Sequence, residues 1–201
     1  IDKFVNFAIL QEISMNIDGY STDYYLYWDN EIGSFKFNLA LPSGFSSAFG
    51  STSLVNMEEL NVTNNITKNI NPKFWKDLFE NNSFIDRVKQ LYTNYRSEIF
   101  SVDSIINNID RFANILSSEK ANERDKSRWY TVGQKNYFDE VSYLKRWILK
   151  RLNELDNLWI DGENEKFVQI TKPLNDQMYN IYDNLIVNFE WISNTDNEQF
   201  T

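Results

Sequence analysis

The chain has 201 residues, enough for one domain with a substantial core or for one domain plus an extension. Hydrophobic residues make up 42%, with six Trp, eleven Tyr and fifteen Phe, which excludes a disordered chain; a net charge of -9 repels nucleic acid and anionic membrane unless a local basic patch intervenes. With no Cys and no His, thiol and imidazole nucleophiles, His bases, disulfides and zinc centres are excluded; any general base is Asp or Glu, and any metal site is oxygen-rich, favouring magnesium, manganese or calcium.

Residues 2–16 read as a helix, with Phe4, Phe7, Ala8, Ile9 and Ile13 recurring at helical spacing and an end around Asn16 to Gly19. Asp23 to Trp28 is Tyr-rich and strand-like, and SFKFNLAL, residues 34–41, alternates with Phe35, Phe37, Leu39 and Leu41 on one face. The connector Asp29 to Gly33 has turn chemistry, so the two segments form a β-hairpin. PSGFSSAFG, residues 42–50, is a small-residue loop, and the Asn-rich stretch 51–71 has no assignable pattern.

The chain then turns helical. Asn71-Pro72 fits a cap followed by Pro at the first helical position, with Phe74, Trp75, Leu78 and Phe79 as the apolar face. Ser83 is the expected cap of a second helix carried by Ile85, Val88, Leu91, Tyr92 and Tyr95. Ser101 or Asp103 starts a third, with Ile105, Ile109, Phe112 and Leu116 in register. The charged stretch 119–127 either extends that helix or forms a loop. The clearest helix carries Val141, Leu144, Ile148, Leu152 and Leu155, and all these stripes read as packed core.

The one basic cluster, Lys145, Arg146, Lys150 and Arg151, reads as a solvated face of that helix rather than an anion site. Asp161-Gly162 marks a turn, residues 166–171 a short strand, and Pro173 the start of a last helix with Leu174, Met178, Ile181, Leu185 and Phe189 in register. A mostly polar tail follows from Ser193. No run approaches the roughly 20 apolar residues of a membrane span. The start at Ile1 rather than Met reads as that of a processed or excised piece, so a missing leader is no evidence for cytoplasm. Asn61-Val-Thr63, Asn65-Ile-Thr67 and Asn81-Asn-Ser83 are acceptor triplets for N-glycosylation, although a chain this rich in Asn produces such triplets by chance.

The stretch IDGYSTDYYLYWD, residues 17–29, places Asp18 and Asp23 where a helix hands over to a strand. Their spacing is that of a kinase catalytic loop, in which an Asp is the base and an Asn holds a metal, with Asp23 in the Asn place. Asp18 in that role would take a proton from a substrate hydroxyl, and Asp23 would be the metal ligand. The alternative is a polar Asx-type turn at Asp18-Gly19, with Asp23 capping the strand.

The piece FVNFAILQEISMNIDGYSTDYYLYWDN resembles the spore coat protein H (CotH) kinase family, through Glu12, Asn16, Asp18, Gly19, Tyr20, Tyr25 and Tyr27. NPKFWKDLFENNSFIDRVKQLYTNYRSEIFS, with Arg96 at the family's Arg, then IDRFANIL, Arg128-Trp129 and EVSYLKRWILKRLNELD follow in the same order. The resemblance implies an α+β, mostly helical fold: a kinase-like C-terminal lobe with a small β-hairpin and about five to six helices over residues 1–156; residues 157–201 lie outside it and, from their own apolar stripe, are expected to form a helical extension. The resemblance also implies Asp18 as catalytic Asp, ATP with magnesium or manganese if the domain is active, a protein partner or substrate, and an extracellular, spore or cell-surface place, cellulosome-type assemblies included.

Two departures bear on activity. SGFSSAFG keeps the family's Phe and Phe-Gly, but both acidic metal-ligand places hold Gly44 and Ser46. The N-terminal lobe that the resemblance implies is expected upstream of Ile1. Phosphoryl transfer depends on metal neutralising the β- and γ-oxygens, so the loss of both acidic places, at 44 and 46, points to a degenerate, pseudokinase-like module for binding or scaffolding. The alternative is an active atypical protein kinase acting on Ser or Thr, with Asp18 as base and Asp23 as ligand. No nucleic-acid partner is expected.

Overall fold

The computed structural model describes residues 1–16, 18–31, 34–40, 42, 44–50, 73–129, 136–160, 167–173 and 188–194. Among them run α1 (Asp2–Ser14), β1 (Leu26–Glu31), β2 (Ser34–Leu39), α2 (Lys73–Phe79), α3 (Asn82–Arg96), α4 (Val102–Ser118), α5 (Ala121–Arg128), α6 (Tyr137–Trp159), β3 (Val168–Lys172) and β4 (Glu190–Ser193). The fold is α+β and mostly helical, with β1–β2 and β3–β4 as separate antiparallel pairs. The chain divides into two compact units, Ile1–Tyr95 with Glu154–Glu163, and Arg96–Asn153 with Asn164–Thr201.

In the first unit α1 is buried on several sides, with Val5, Phe7, Ala8, Ile9 and Ile13 inside. Its polar residues Gln11, Glu12 and Ser14 are buried as well. The helix stops because Met15 adopts a left-handed conformation (φ 48°), while Asn16 N–H donates back to Gln11 O at 3.1 Å. That is a Schellman-type ending made without Gly, costing about 1–2 kcal/mol of backbone strain. Arg87 on α3 holds Asp2 through Nε at 2.9 Å and Nη2 at 2.7 Å, and the Tyr95 hydroxyl donates to Asn6 Oδ1 at 3.0 Å.

Trp75 on α2 is fully buried and stacks on Phe7, with centroids 5.1 Å apart. Tyr20, Tyr24 and Phe74 meet it edge-on at 5.2, 5.7 and 5.4 Å. This aromatic knot ties α1, the loop after it and α2 together, each large ring contributing about 1.5–3 kcal/mol on burial. The last turns of α6 close the unit: Tyr92 donates to Asp156 Oδ1 at 2.8 Å and packs edge-on against Trp159 at 5.0 Å.

The hairpin forms as expected but reaches further. β1 runs on through Asp29, Asn30 and Glu31, with Asp29 opposite Lys36 and Asn30 opposite Phe35, so the expected turn residues are ladder residues. Residues 32, 33 and 41 lie outside the described residues, as do Asn71, Pro72, the unassigned stretch 51–71, Asp161-Gly162 and 174–187 of the expected last helix. The cap of α3 is Asn81, not Ser83: Asn81 Oδ1 accepts from Phe84 N at 3.1 Å, and the helix already includes Ser83. Ser101 caps α4, accepting from Ser104 N at 3.3 Å.

In the second unit α4 is turned by about one residue from the expected face. Val102, Ile106, Asp110 and Ala113 are buried, while Phe112 and Leu116 are 55% and 47% exposed. The buried Asp110 explains the shift. The Lys145 ammonium lies 2.6 Å from its Oδ1, in an ion pair not aligned as a hydrogen bond. A charged residue facing inward disguises the stripe to which it belongs.

The same pair corrects the reading of the basic cluster. Lys145 and Arg151 are buried and Arg146 is half-buried beside Glu190, so only Lys150 stays on an exposed face. The apolar stripe of α6 stands, with Val141, Ile148, Leu152 and Leu155 buried and Leu144 half-buried. The charged stretch neither extends α4 nor forms a loop: Lys120 turns left-handed (φ 54°) and α5 follows with no buried residue.

β3 falls where a short strand is expected. β4 does not: Glu190–Ser193 pairs with β3, with Ile170 opposite Trp191. Phe189, expected on a helix stripe, is exposed just before that strand. Glu190 accepts from the Ser142 hydroxyl at 3.1 Å and pairs with Arg146, tying β4 to α6.

Candidate functional site

The site begins at the left-handed turn of Met15, which presents the fully buried Asn16 to the loop that follows. Asn16 O accepts from Gly19 N at 3.0 Å. Asp18 O then accepts from Ser21 N at 3.0 Å, Thr22 N at 3.0 Å and Asp23 N at 3.2 Å, with the Ser21 hydroxyl at 3.2 Å. The turn is thus built on the main-chain carbonyl of Asp18, not on an Asx bond from its side chain. The half-buried Asp18 carboxylate takes no hydrogen bond or ion pair from the described residues.

Two residues inside the unit set the height of this loop. The Tyr20 hydroxyl lies 3.0 Å from Glu12 Oε1 and 3.2 Å from Ala8 O, which ties the loop down onto α1. Gly19 lies so close to the buried Gln11 that a Cβ there would stand 2.2 Å from Gln11 Oε1. Gln11 was not among the expected site residues; a buried Gln on a helix has no distinguishing sequence signal.

Asp23 is half-buried, and its Oδ2 accepts from Asn16 Nδ2 at 3.3 Å. The same Nδ2 donates to Gly44 O at 3.0 Å. Gly44 is left-handed (φ 76°), and a Cβ on it would stand 3.0 Å from both Asp23 oxygens. Asn16, Asp23 and Gly44 therefore form one cluster, with the Asp23 carboxylate against the place a side chain at 44 would start. Ser46 is exposed and makes no hydrogen bond to them. The loop returns through Phe49, whose N–H donates to Ser14 O at 2.7 Å.

The donors in the cluster are a carboxylate, a main-chain carbonyl and an amide whose Oδ1 is buried without a hydrogen-bond partner. Hard oxygen donors of this kind suit magnesium or manganese, and magnesium is commonly held by one or two carboxylates together with substrate phosphates. Among the described residues no group of three or more acidic residues is placed to hold a metal. No described helix is long and apolar enough to cross a membrane.

A helix ending in the turn that carries Asp18, followed by an antiparallel strand pair, belongs to a mostly helical α+β fold. The chain belongs to the CotH kinase family: the family model described as CotH kinase protein matches residues 1–155 of the 201. No curated protein and no solved structure gives a significant match.

Proposed function

We propose that this CotH-family domain is degenerate as a phosphotransferase and serves as a kinase-like binding or scaffolding module in an extracellular or surface assembly with a protein partner. The observation that carries the reading is the Asp23–Gly44 contact. Where the resemblance implies acidic residues at 44 and 46, the site has Gly44 and Ser46, and one carboxylate from Asp23 fills the space beside Gly44. A Ser hydroxyl is a weaker partner for a divalent cation than a carboxylate. Residues 1–156 form the kinase-like lobe in this reading, and 157–201 the extension.

A second reading rests on the free Asp18 carboxylate: an active atypical protein kinase acting on Ser or Thr of a partner. Asp18 would accept the proton of the attacking hydroxyl, and Asp23, steadied by Asn16, would hold magnesium or manganese with ATP. When bound, the cation would neutralise charge on the β- and γ-oxygens of the nucleotide.

One titration separates the two. ATP with magnesium or manganese is added to the complete protein while thermal stability and phosphate transfer are followed. Stabilisation without transfer is expected. Transfer by the parent that is lost in Asp18→Asn overturns the degenerate reading, and no stabilisation by any nucleotide leaves a purely structural domain.

A further inference from the structure

Of the three acceptor triplets in the chain, Asn81-Asn82-Ser83 lies within the described residues, and its geometry is specific. All three residues are exposed, and the chain dives inward immediately afterwards at Phe84, which is 2% exposed. Asn81 is the cap of α3, a helix of 15 residues, and its Oδ1 accepts from Phe84 N at 3.1 Å. An amide is planar, so fixing Oδ1 on the helix end turns Nδ2 the other way. Nδ2 makes no hydrogen bond to any described residue.

We propose that Asn81 is an acceptor for an N-linked glycan when the chain passes through a glycosylating secretory compartment; this rests on the surface location proposed above. The donor is an oligosaccharide carried on a lipid pyrophosphate. Nδ2 bonds to the anomeric carbon of the first sugar, the bond from that carbon to the pyrophosphate oxygen breaks, and the lipid pyrophosphate leaves. The Nδ2 proton passes to a base of the transferase, and nothing is oxidised or reduced. The product is a secondary amide that keeps its carbonyl oxygen, so the cap of α3 survives. The sugar projects from the end of the helix without displacing a buried side chain.

The full chain, secreted from a eukaryotic host behind an added signal, tests this directly. Trypsin cuts after Lys76 and Arg87, so the peptide Asp77–Arg87 isolates Asn81 from Asn61 and Asn65. Intact glycopeptide mass, and conversion of Asn81 to labelled Asp by peptide N-glycosidase in heavy-oxygen water, are expected in the parent and absent in Ser83→Ala. The cap has its own readout in unglycosylated protein: Ser83→Ala and Asn81→Asp keep the urea midpoint, whereas Asn81→Ala lowers it. Recovery of Asp77–Arg87 only in bare form from the secreted chain overturns the proposal, as does a sugar that persists in Ser83→Ala. The host supplies export, so a bare Asn81 counts against the acceptor and not against the surface reading, which is checked separately on the native protein by protease accessibility.

Discussion

Replacing Gly44 by Asp restores an acidic residue where the family resemblance expects one, but does so against the Asp23 carboxylate. Two costs follow from the geometry. Position 44 has φ 76°, and a side chain in that left-handed region costs about 1–2 kcal/mol. The new carboxylate starts from a Cβ 3.0 Å from both Asp23 oxygens. Two like charges roughly 4 Å apart repel by about 1 kcal/mol in water and about 4 kcal/mol at an effective dielectric of about 20. Gly44 is exposed and Asp23 half-buried, which places the repulsion in the lower half of that range.

Gly44→Asp should therefore cost about 2–4 kcal/mol in urea unfolding with chelator present. Asp23→Asn removes the charge and keeps an oxygen for Asn16 Nδ2, so Asp23→Asn with Gly44→Asp should cost only the backbone part, about 1–2 kcal/mol. Magnesium should then raise the unfolding midpoint of Gly44→Asp more than that of the parent, because only the variant offers two adjacent carboxylates. Equal destabilisation in the single and double variants under chelator would refute the placing of Asp23 against position 44. Phosphate transfer by the double variant but not by the parent would identify the missing acidic ligand at 44 as the step that disabled the domain.

Gly19→Ala drives a methyl group into buried Gln11 and should cost about 1–3 kcal/mol by chemical denaturation, with the penalty largely absent when measured in a Gln11→Ala background. Lys145→Met leaves the buried Asp110 carboxylate without its cation and should cost about 3–5 kcal/mol, whereas adding Asp110→Leu should recover most of that loss in the same unfolding assay. The Arg87 hydrogen bonds hold the Asp2 carboxyl below its ordinary 3.8. A lowered carboxylate pKa stabilises the fold above the unfolded value and loses that contribution as pH falls through the folded one. The stability difference between parent and Arg87→Met should therefore be constant above about pH 5 and shrink below it, as followed by urea midpoints across an acid series. A difference that does not change with pH would show that Arg87 acts through packing alone.

Much of this architecture is legible in residue order. The stripes of α1, α2 and α6 were readable because large apolar side chains recur at the helical period, and burial of those same side chains is what stabilises the helices. The hairpin was readable for the same reason at a period of two, although Asp29, Asn30 and Glu31, expected in its connector, pair in the ladder, because local residue preference alone does not fix where a ladder ends. β4 was missed because four residues are too few for a period to show, and its pairing partner β3 is distant in sequence.

Three features could not have been read from local pattern. The buried face of α4 includes Asp110, and the inward face of α6 includes Lys145; each looks like a surface residue until its partner across the unit is known. Gln11 supports Gly19 only because α1 ends in a left-handed turn that folds the loop back over it. The sequence by itself determined the helical stripes, the acidic loop at Asp18 and Asp23, and the family to which they belong, because these rest on local spacing and on order along the chain. Only the tertiary structure decided that Asp18 builds its turn through a main-chain carbonyl and leaves its carboxylate free. It alone set Asp23 against Gly44, since that contact depends on a loop returning across more than twenty residues to a helix end, and distance in space is not encoded in any local period.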